Sequence, residues 1–450
     1  MQKQRKATTP AVAARDRLLE VQDKLGLCTE ILSGIVEVEA RHREDLASAG
    51  CVLGPLHGLP IVVKDIIDVA GSPTRAGSQY LDTAQPATSD AFVVAKLRAA
   101  GAVTVAKTST VEFAFGGWGT NASLGTPRNP WKPDDQHTPG GSSSGTGVAV
   151  GGKFVPAGLG TDTGGSVRVP AAFCGCVGLK TSTGMVGRTG VIPLSDTFDT
   201  IGPLTDTVQR AADMLQAMMG EDPADSTTIG VVRTQPLKEL ERGVAGLRLG
   251  VIPDEALKDA STDVLAAFHL ALKILEDAGA QMVPVSLPKD FVTYQRLSTA
   301  FISSDAYTFH ADMVESKTSA INDATRARML AHRDMSGRDR IIAQRNRTID
   351  IAEYLEAMDR LDAVLLPTAP TTAIPLADVD ENDYSVSLYT RAANYLDLAA
   401  LTVPIGLSAE GLPTALQIMT RRFDDALALR IGFAFEQARG IFPLPPSPDA

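Results

Sequence analysis

The feature that most limits what this chain can fold into is the stretch 113–190, which is dense in Gly, Ser, Thr and Pro and sparse in charge. A flexible Gly/Ser linker is hydrophilic and repetitive. This stretch instead carries Val148, Val150, Phe154, Val155, Leu159, Val167, Val169, Phe173 and Leu179. It therefore reads as buried, tightly turning backbone, neither a linker nor a regular element. Burying so much main chain requires a large body around it. The 450 residues are 44% hydrophobic and 21% charged, which is ordinary for a globular protein and sufficient for such a core.

The flanks read as alternating helices and strands. Val12, Leu18, Leu19, Val21 and Leu25 recur at helical spacing, and Ile31, Ile35 and Val38 continue a second stripe. Pro55 and Gly58 break that pattern. Residues 59–63 are a short apolar, β-branched run followed by Lys64 and Asp65, the pattern of a buried strand with charges at its carboxyl end. Sites in α/β proteins are usually built at such ends. A helix over 91–100 and a strand over 102–106 follow, and the alternation returns at 247–252, 262–278 and 281–285. Residues 291–360 read as mostly helical, with Arg326, Arg328, Arg333, Arg338, Arg340, Arg345 and Arg347 forming a solvated face. Strand-like runs at 363–366, 402–407 and 415–419 precede a final amphipathic helix over 424–437.

The net charge of −11 supplies no positive field to gather phosphate backbones or anionic lipid, so neither nucleic acid nor membrane is expected as a partner. Met1 to Lys6 is basic, but no apolar h-region follows it and no run of about 18 apolar residues occurs, so a cytoplasmic location is expected. Cys28, Cys51, Cys174 and Cys176 read as small core residues. Cys174-Gly-Cys176 lacks the second pair a zinc site needs, and none of the six histidines sits in a metal-binding pair, so no metal is expected.

Two serine clusters dominate the glycine-rich stretch: Gly140-Gly141-Ser142-Ser143-Ser144-Gly145 and Thr161-Asp162-Thr163-Gly164-Gly165-Ser166-Val167-Arg168. With the upstream Gly58-Leu59-Pro60-Ile61-Val62-Val63-Lys64-Asp65, they make the chain resemble the amidase signature family. The resemblance runs on through Lys107-Thr108-Ser109, Gly178-Leu179-Lys180, Asp199-Thr200-Ile201-Gly202-Pro203 and Gly411-Leu412-Pro413-Thr414-Ala415-Leu416-Gln417. It is close over about 55–215 and loose elsewhere. Thr181 stands where a proline is usual and Ser144 where a glycine is common. The resemblance implies an α/β/α layered fold with a central mixed β-sheet covered by helices on both faces. One amidase domain would span the chain, with a helical segment (1–54), a signature core (55–220), a variable, largely helical substrate-side region (221–390) and C-terminal strands and helix (391–450).

By the same resemblance Ser166 is the nucleophile, Lys64 the base, and Ser142, after a cis peptide bond, the relay between them. Amide hydrolysis needs a hydroxyl made more nucleophilic by a neighbour that takes its proton. A lysine serves only when neutral, and burial at the end of an apolar strand lowers its pKa from about 10.4. The backbone N–H groups of Thr163, Gly164, Gly165 and Ser166 would hold the oxyanion, where glycine permits close approach. Phe115, Gly116 and Gly117 are substrate-contact candidates. Arg168 either binds a substrate carboxylate or orients the loop through Asp162, the second being favoured. No cofactor is implied. A small amide is the expected substrate, a homodimer is the form common among similar enzymes, and a small accessory subunit stays open.

Plainer or competing readings exist for each residue. Lys64 could pair with Asp65, and Ser142 and Ser166 could be turn residues. Gly141-Ser142-Ser143-Ser144-Gly145 also satisfies G-x-S-x-G with Ser143 as nucleophile, but that elbow must follow a strand, and residues 129–139 are rich in proline and polar side chains. Two further alternatives are the glutaminase-type subunit of a tRNA-dependent amidotransferase and a noncatalytic scaffold, the latter disfavoured by the intact serines and lysine.

Overall fold

The computed structural model describes residues 9–447; the basic stretch Met1 to Lys6 lies outside them. Thr9 starts the first helix, Pro10–Leu25, its hydroxyl accepting the Val12 N–H at 3.2 Å, and Gly26 ends it in a left-handed conformation. Ala11, Ala14, Leu18, Val21 and Leu25 form the buried stripe, while Leu19 lies outside it and is exposed. The second helix, Ser33–Ser48, begins later than the sequence stripe implied. Ile31 belongs instead to an edge strand, and Val38 faces solvent.

Eleven strands form one mixed sheet. They are β1 (Cys28–Ile31), β2 (Pro60–Lys64), β3 (Val103–Thr108), β4 (Ala157–Asp162), β5 (Val177–Lys180), β6 (Thr200–Thr205), β7 (Arg248–Val251), β8 (Gln281–Pro284), β9 (Ala363–Pro367), β10 (Ala399–Leu407) and β11 (Pro413–Thr420). Their order is β1-β3-β2-β4-β6-β5-β10-β11-β9-β7-β8. Pairings of β2 with β3 and β4, and of β7 with β8 and β9, are parallel, and the others are antiparallel. Helices flank the sheet, which gives the layered α/β architecture the motifs implied.

The glycine-rich stretch is largely buried as expected, but part of it is regular. It contains the helices Ser144–Gly151 and Arg168–Cys174 and the strands β4 and β5, all fully buried. Elements buried on every side show neither a period of two nor of 3.6, and small residues let them pack closely, so tertiary packing overrides weak local propensity. At Gly140 (φ +74°), an added Cβ would lie 2.9 Å from Pro170 Cα, where a helix packs against the turn.

The arginine series divides. Arg333, Arg338 and Arg345 are exposed, whereas Arg328 and Arg347 are buried. Arg347 donates to the Tyr395 carbonyl at 2.7 Å, and Arg328 donates to the Phe115 carbonyl at 2.6 Å and pairs with Glu381 at 3.0 Å. Helical spacing does not reveal these, because the neighbouring loops that cover them are distant in sequence. Three cysteines are buried, but Cys51 is exposed. Among the described residues no helix is long and apolar enough to cross a membrane.

Candidate active site

Parallel pairing of β2 with β4, with Val63 opposite Leu159, brings the carboxyl ends of both strands together. Lys64, the last residue of β2, is fully buried there, and its Nζ lies 2.7 Å from Ser142 Oγ and 2.8 Å from Thr161 Oγ1. Asp65 does not neutralise it. That carboxylate pairs with Lys107 at 2.7 Å, both side chains buried. Burial pulls the Lys64 amine down to about 7, against the opposing pull of Asp199 and Asp162. Near neutral pH a large fraction is therefore uncharged.

Ser142 follows a cis peptide bond from Gly141. Its carbonyl accepts from Thr110 Oγ1 at 2.9 Å and from the Val111 N–H at 3.2 Å. Gly141 N–H donates to Gly117 O at 2.7 Å, and Ser143 N–H donates to Ser166 O at 3.2 Å. These bonds tie the Phe115–Gly117 segment, the Ser142 turn and the Ser166 turn into one wall. The Lys64–Ser142 leg is formed. The Ser166 hydroxyl makes no hydrogen bond among the described residues and faces the pocket. Ser143 is fully buried, with its hydroxyl turned to the Thr161 carbonyl, and it begins a helix that no strand feeds, so the elbow reading falls.

Arg168 is fully buried and engaged within the protein. It donates to Asp162 Oδ2 at 3.0 Å and Oδ1 at 2.9 Å, to the Thr390 carbonyl at 2.8 Å, to Asn394 Oδ1 at 2.6 Å and to Gln417 Oε1. Of the two roles weighed for Arg168 the contacts match the favoured one, that of orienting the loop through Asp162, and all five N–H groups are used in joining the serine loop to the C-terminal segment, which leaves none for the substrate contact. Burial alone would raise the Asp162 carboxyl, but the guanidinium outweighs it and holds Asp162 well below the usual range. Arg168→Met should cost about 3–5 kcal/mol, since it strands a buried carboxylate; equilibrium urea unfolding checks this, and an unchanged midpoint would contradict it.

Asp162 also shapes the candidate oxyanion loop. Gly165, at φ +128°, gives its N–H to Asp162 Oδ1 at 2.8 Å. Its amide is thus committed inside the loop, contrary to the free donor expected, while Thr163, Gly164 and Ser166 are among the residues that line the pocket. Thr163 Oγ1 donates to Asp199 Oδ1 at 2.5 Å, and Asp199 also accepts from the Leu194 and Ser195 amides at 2.8 and 3.0 Å.

The pocket over Ser166 is narrow, a cavity of about 20 Å³. It is lined by the substrate-contact candidates Phe115, Gly116 and Gly117, and by Leu194, Ile302 and Arg391. Phe113 and Ala114 are left-handed, at φ +48° and +60°, an unusual conformation for side-chain-bearing residues that turns the chain into this wall. A neighbouring cavity of about 610 Å³ is larger, but it is lined by Thr161, Arg188 and Asp199 and not by Ser166. Ser166, 9% exposed, lines the narrow pocket.

The family model for amidases matches residues 12–429. The chain belongs to the amidase signature family. Among amidase relatives, a glutamyl-tRNA(Gln) amidotransferase subunit from Geobacter metallireducens is 36% identical over 412 residues, covering 86% of this chain and 84% of that protein. The native peptide amidase of Stenotrophomonas maltophilia superposes with a TM-score of 0.83 at 30% identity, over 96% and 93% of the two chains. A structure described as a vestigial protein complex that reveals the evolutionary origins of an s-triazine catabolic enzyme gives 0.88 at 28%, over 96% of each.

Within this amidase fold three site residues escaped sequence reasoning. Thr161 and Asp199 stand inside motifs, but their contacts with Lys64 and Thr163 depend on the sheet. Arg391 had a readable signal: it is the one charged residue between Asp383 and Asp397.

Proposed function

We propose that this chain hydrolyses the C–N bond of a small carboxamide through a serine acyl-enzyme. The observation that carries the reading is the buried Lys64 amine 2.7 Å from Ser142 Oγ, without a carboxylate partner among the described residues. Neutral Lys64 takes the Ser142 proton as Ser142 takes that of Ser166, and Ser166 Oγ attacks the carbonyl carbon. The relay closes on its second leg when substrate orders the Ser166 hydroxyl. Amides of Thr163, Gly164 and Ser166 receive the oxyanion. The proton returns to the departing nitrogen, which leaves as ammonia or an amine, and water, activated by the same relay, releases the acid. Ammonia release by the purified chain from a panel of simple amides tests this, together with fluorophosphonate labelling. Absence of both turnover and an adduct on Ser166 would sink it.

A second reading is favoured by the 36% identity to the Geobacter metallireducens amidotransferase chain: a glutaminase-type protein that works with partner chains. It requires glutamine as the preferred donor and weak activity alone. Robust turnover of other amides by the single chain would decide against it. A homodimer accommodates either reading.

A further inference from the structure

Arg391 is buried at the inner wall of the Ser166 pocket. Its Nε donates to Ser387 Oγ at 3.2 Å, and its Nη1 has no hydrogen-bond partner. Among the described residues no carboxylate lies within salt-bridge distance of it. The guanidinium packs on the oxyanion loop: a Cβ on Gly164 would lie 2.6 Å from Nη1 and 2.7 Å from Cζ. A buried, unpaired guanidinium is strongly unfavourable, and such groups are found with a counter-charge. The neighbouring Arg328 has its counter-charge in Glu381. Arg391 does not, and it lines the same pocket as Ser166.

We infer that Arg391 is a specificity-determining residue that receives a carboxylate on the acyl part of the substrate, through charge-assisted N–H···O bonds from its guanidinium, which no carboxylate of the described residues neutralises. This inference rests on the amidase reading of Ser166. Ser166 and Arg391 line one narrow pocket, so an acyl group bonded to Ser166 would reach the guanidinium through a short chain. Among the described residues no acidic side chain lines this pocket, so an α-ammonium group beside the carboxylate would be left without a partner there. The class indicated is the half-amide of a short dicarboxylic acid lacking an amino group. An amino acid amide such as glutamine shares the carboxylate but not the fit.

The test uses the purified full chain and measures ammonia release from succinamate, neutral butyramide and L-glutamine. The kcat/KM for succinamate should exceed that for butyramide by roughly 100-fold or more, as expected for a buried charge pair made with one substrate and not the other. Glutamine should fall below succinamate. Arg391→Gln should bring the succinamate-to-butyramide ratio near one, and Arg391→Lys, which keeps the charge, should retain part of it. Succinate should also slow fluorophosphonate labelling of wild-type Ser166, a readout independent of turnover and of whether Arg391→Gln folds. Butyramide matching succinamate, glutamine exceeding it, absence of protection by succinate, or an equal loss on all substrates in Arg391→Gln would each overturn the inference while leaving the amidase reading intact. Failure of any adduct or turnover would sink the amidase reading itself.

Discussion

Replacing Ser166 with alanine should lower amide turnover by a factor on the order of 10⁴–10⁶ and leave the thermal unfolding midpoint almost unchanged. The first half follows from the proposed role of its hydroxyl as the attacking atom. Water in its place would lack the connection through Ser142 to Lys64. The second half follows from packing. The hydroxyl makes no hydrogen bond among the described residues, and 9% of the residue is exposed in the pocket, so truncation strands no buried partner and opens no internal cavity. Ammonia release and a circular-dichroism melt measure the two halves on one preparation. Turnover near the wild-type rate would remove Ser166 from the mechanism.

Lys64→Met is the second large effect, with an expected loss in kcat/KM on the order of 10³–10⁴-fold. Methionine approximates the volume of the lysine stem and carries no charge into the core. The fold is therefore expected to persist, while Ser142 Oγ and Thr161 Oγ1 lose the amine now at 2.7 and 2.8 Å. The distinction from Ser166→Ala is chemical: Lys64→Met keeps the nucleophile, so fluorophosphonate should still label Ser166 slowly, whereas the alanine variant should take no label there. Wild-type kcat/KM in Lys64→Met would assign the proton to another group.

How much of this is legible in the sequence depends on whether the determining contact is local. The strand ending at Lys64 is legible because an apolar β-branched run followed by charge has one good interpretation, and β2 ends within a residue of the sequence estimate. The serine loop is legible as a motif. Its internal wiring is not: Asp162 consumes the Gly165 amide across a turn that spacing alone does not reveal, and Arg168 joins Asn394 and Gln417, more than 200 residues away. The strands β4 and β5 are hidden for another reason. Their glycines read as turns, yet complete burial between neighbouring strands and helices sets their conformation. Arg391 is visible as the one charged residue between Asp383 and Asp397, but the sequence does not show that it is buried beside Ser166 without a counter-charge.

The central claim is that Lys64 reaches Ser166 as a neutral base, and the pH dependence of fluorophosphonate labelling tests it directly. Only the uncharged amine accepts a proton, so the labelling rate should fall about tenfold per pH unit well below the lysine's pKa and level off above it. With that amine held down to about 7 by burial, the rate should climb with pH, bend near 7 and stay flat to about pH 9, and Lys64→Met should label slowly without the bend. A wild-type rate independent of pH between about 5 and 9, or the same bend in Lys64→Met, would contradict the account.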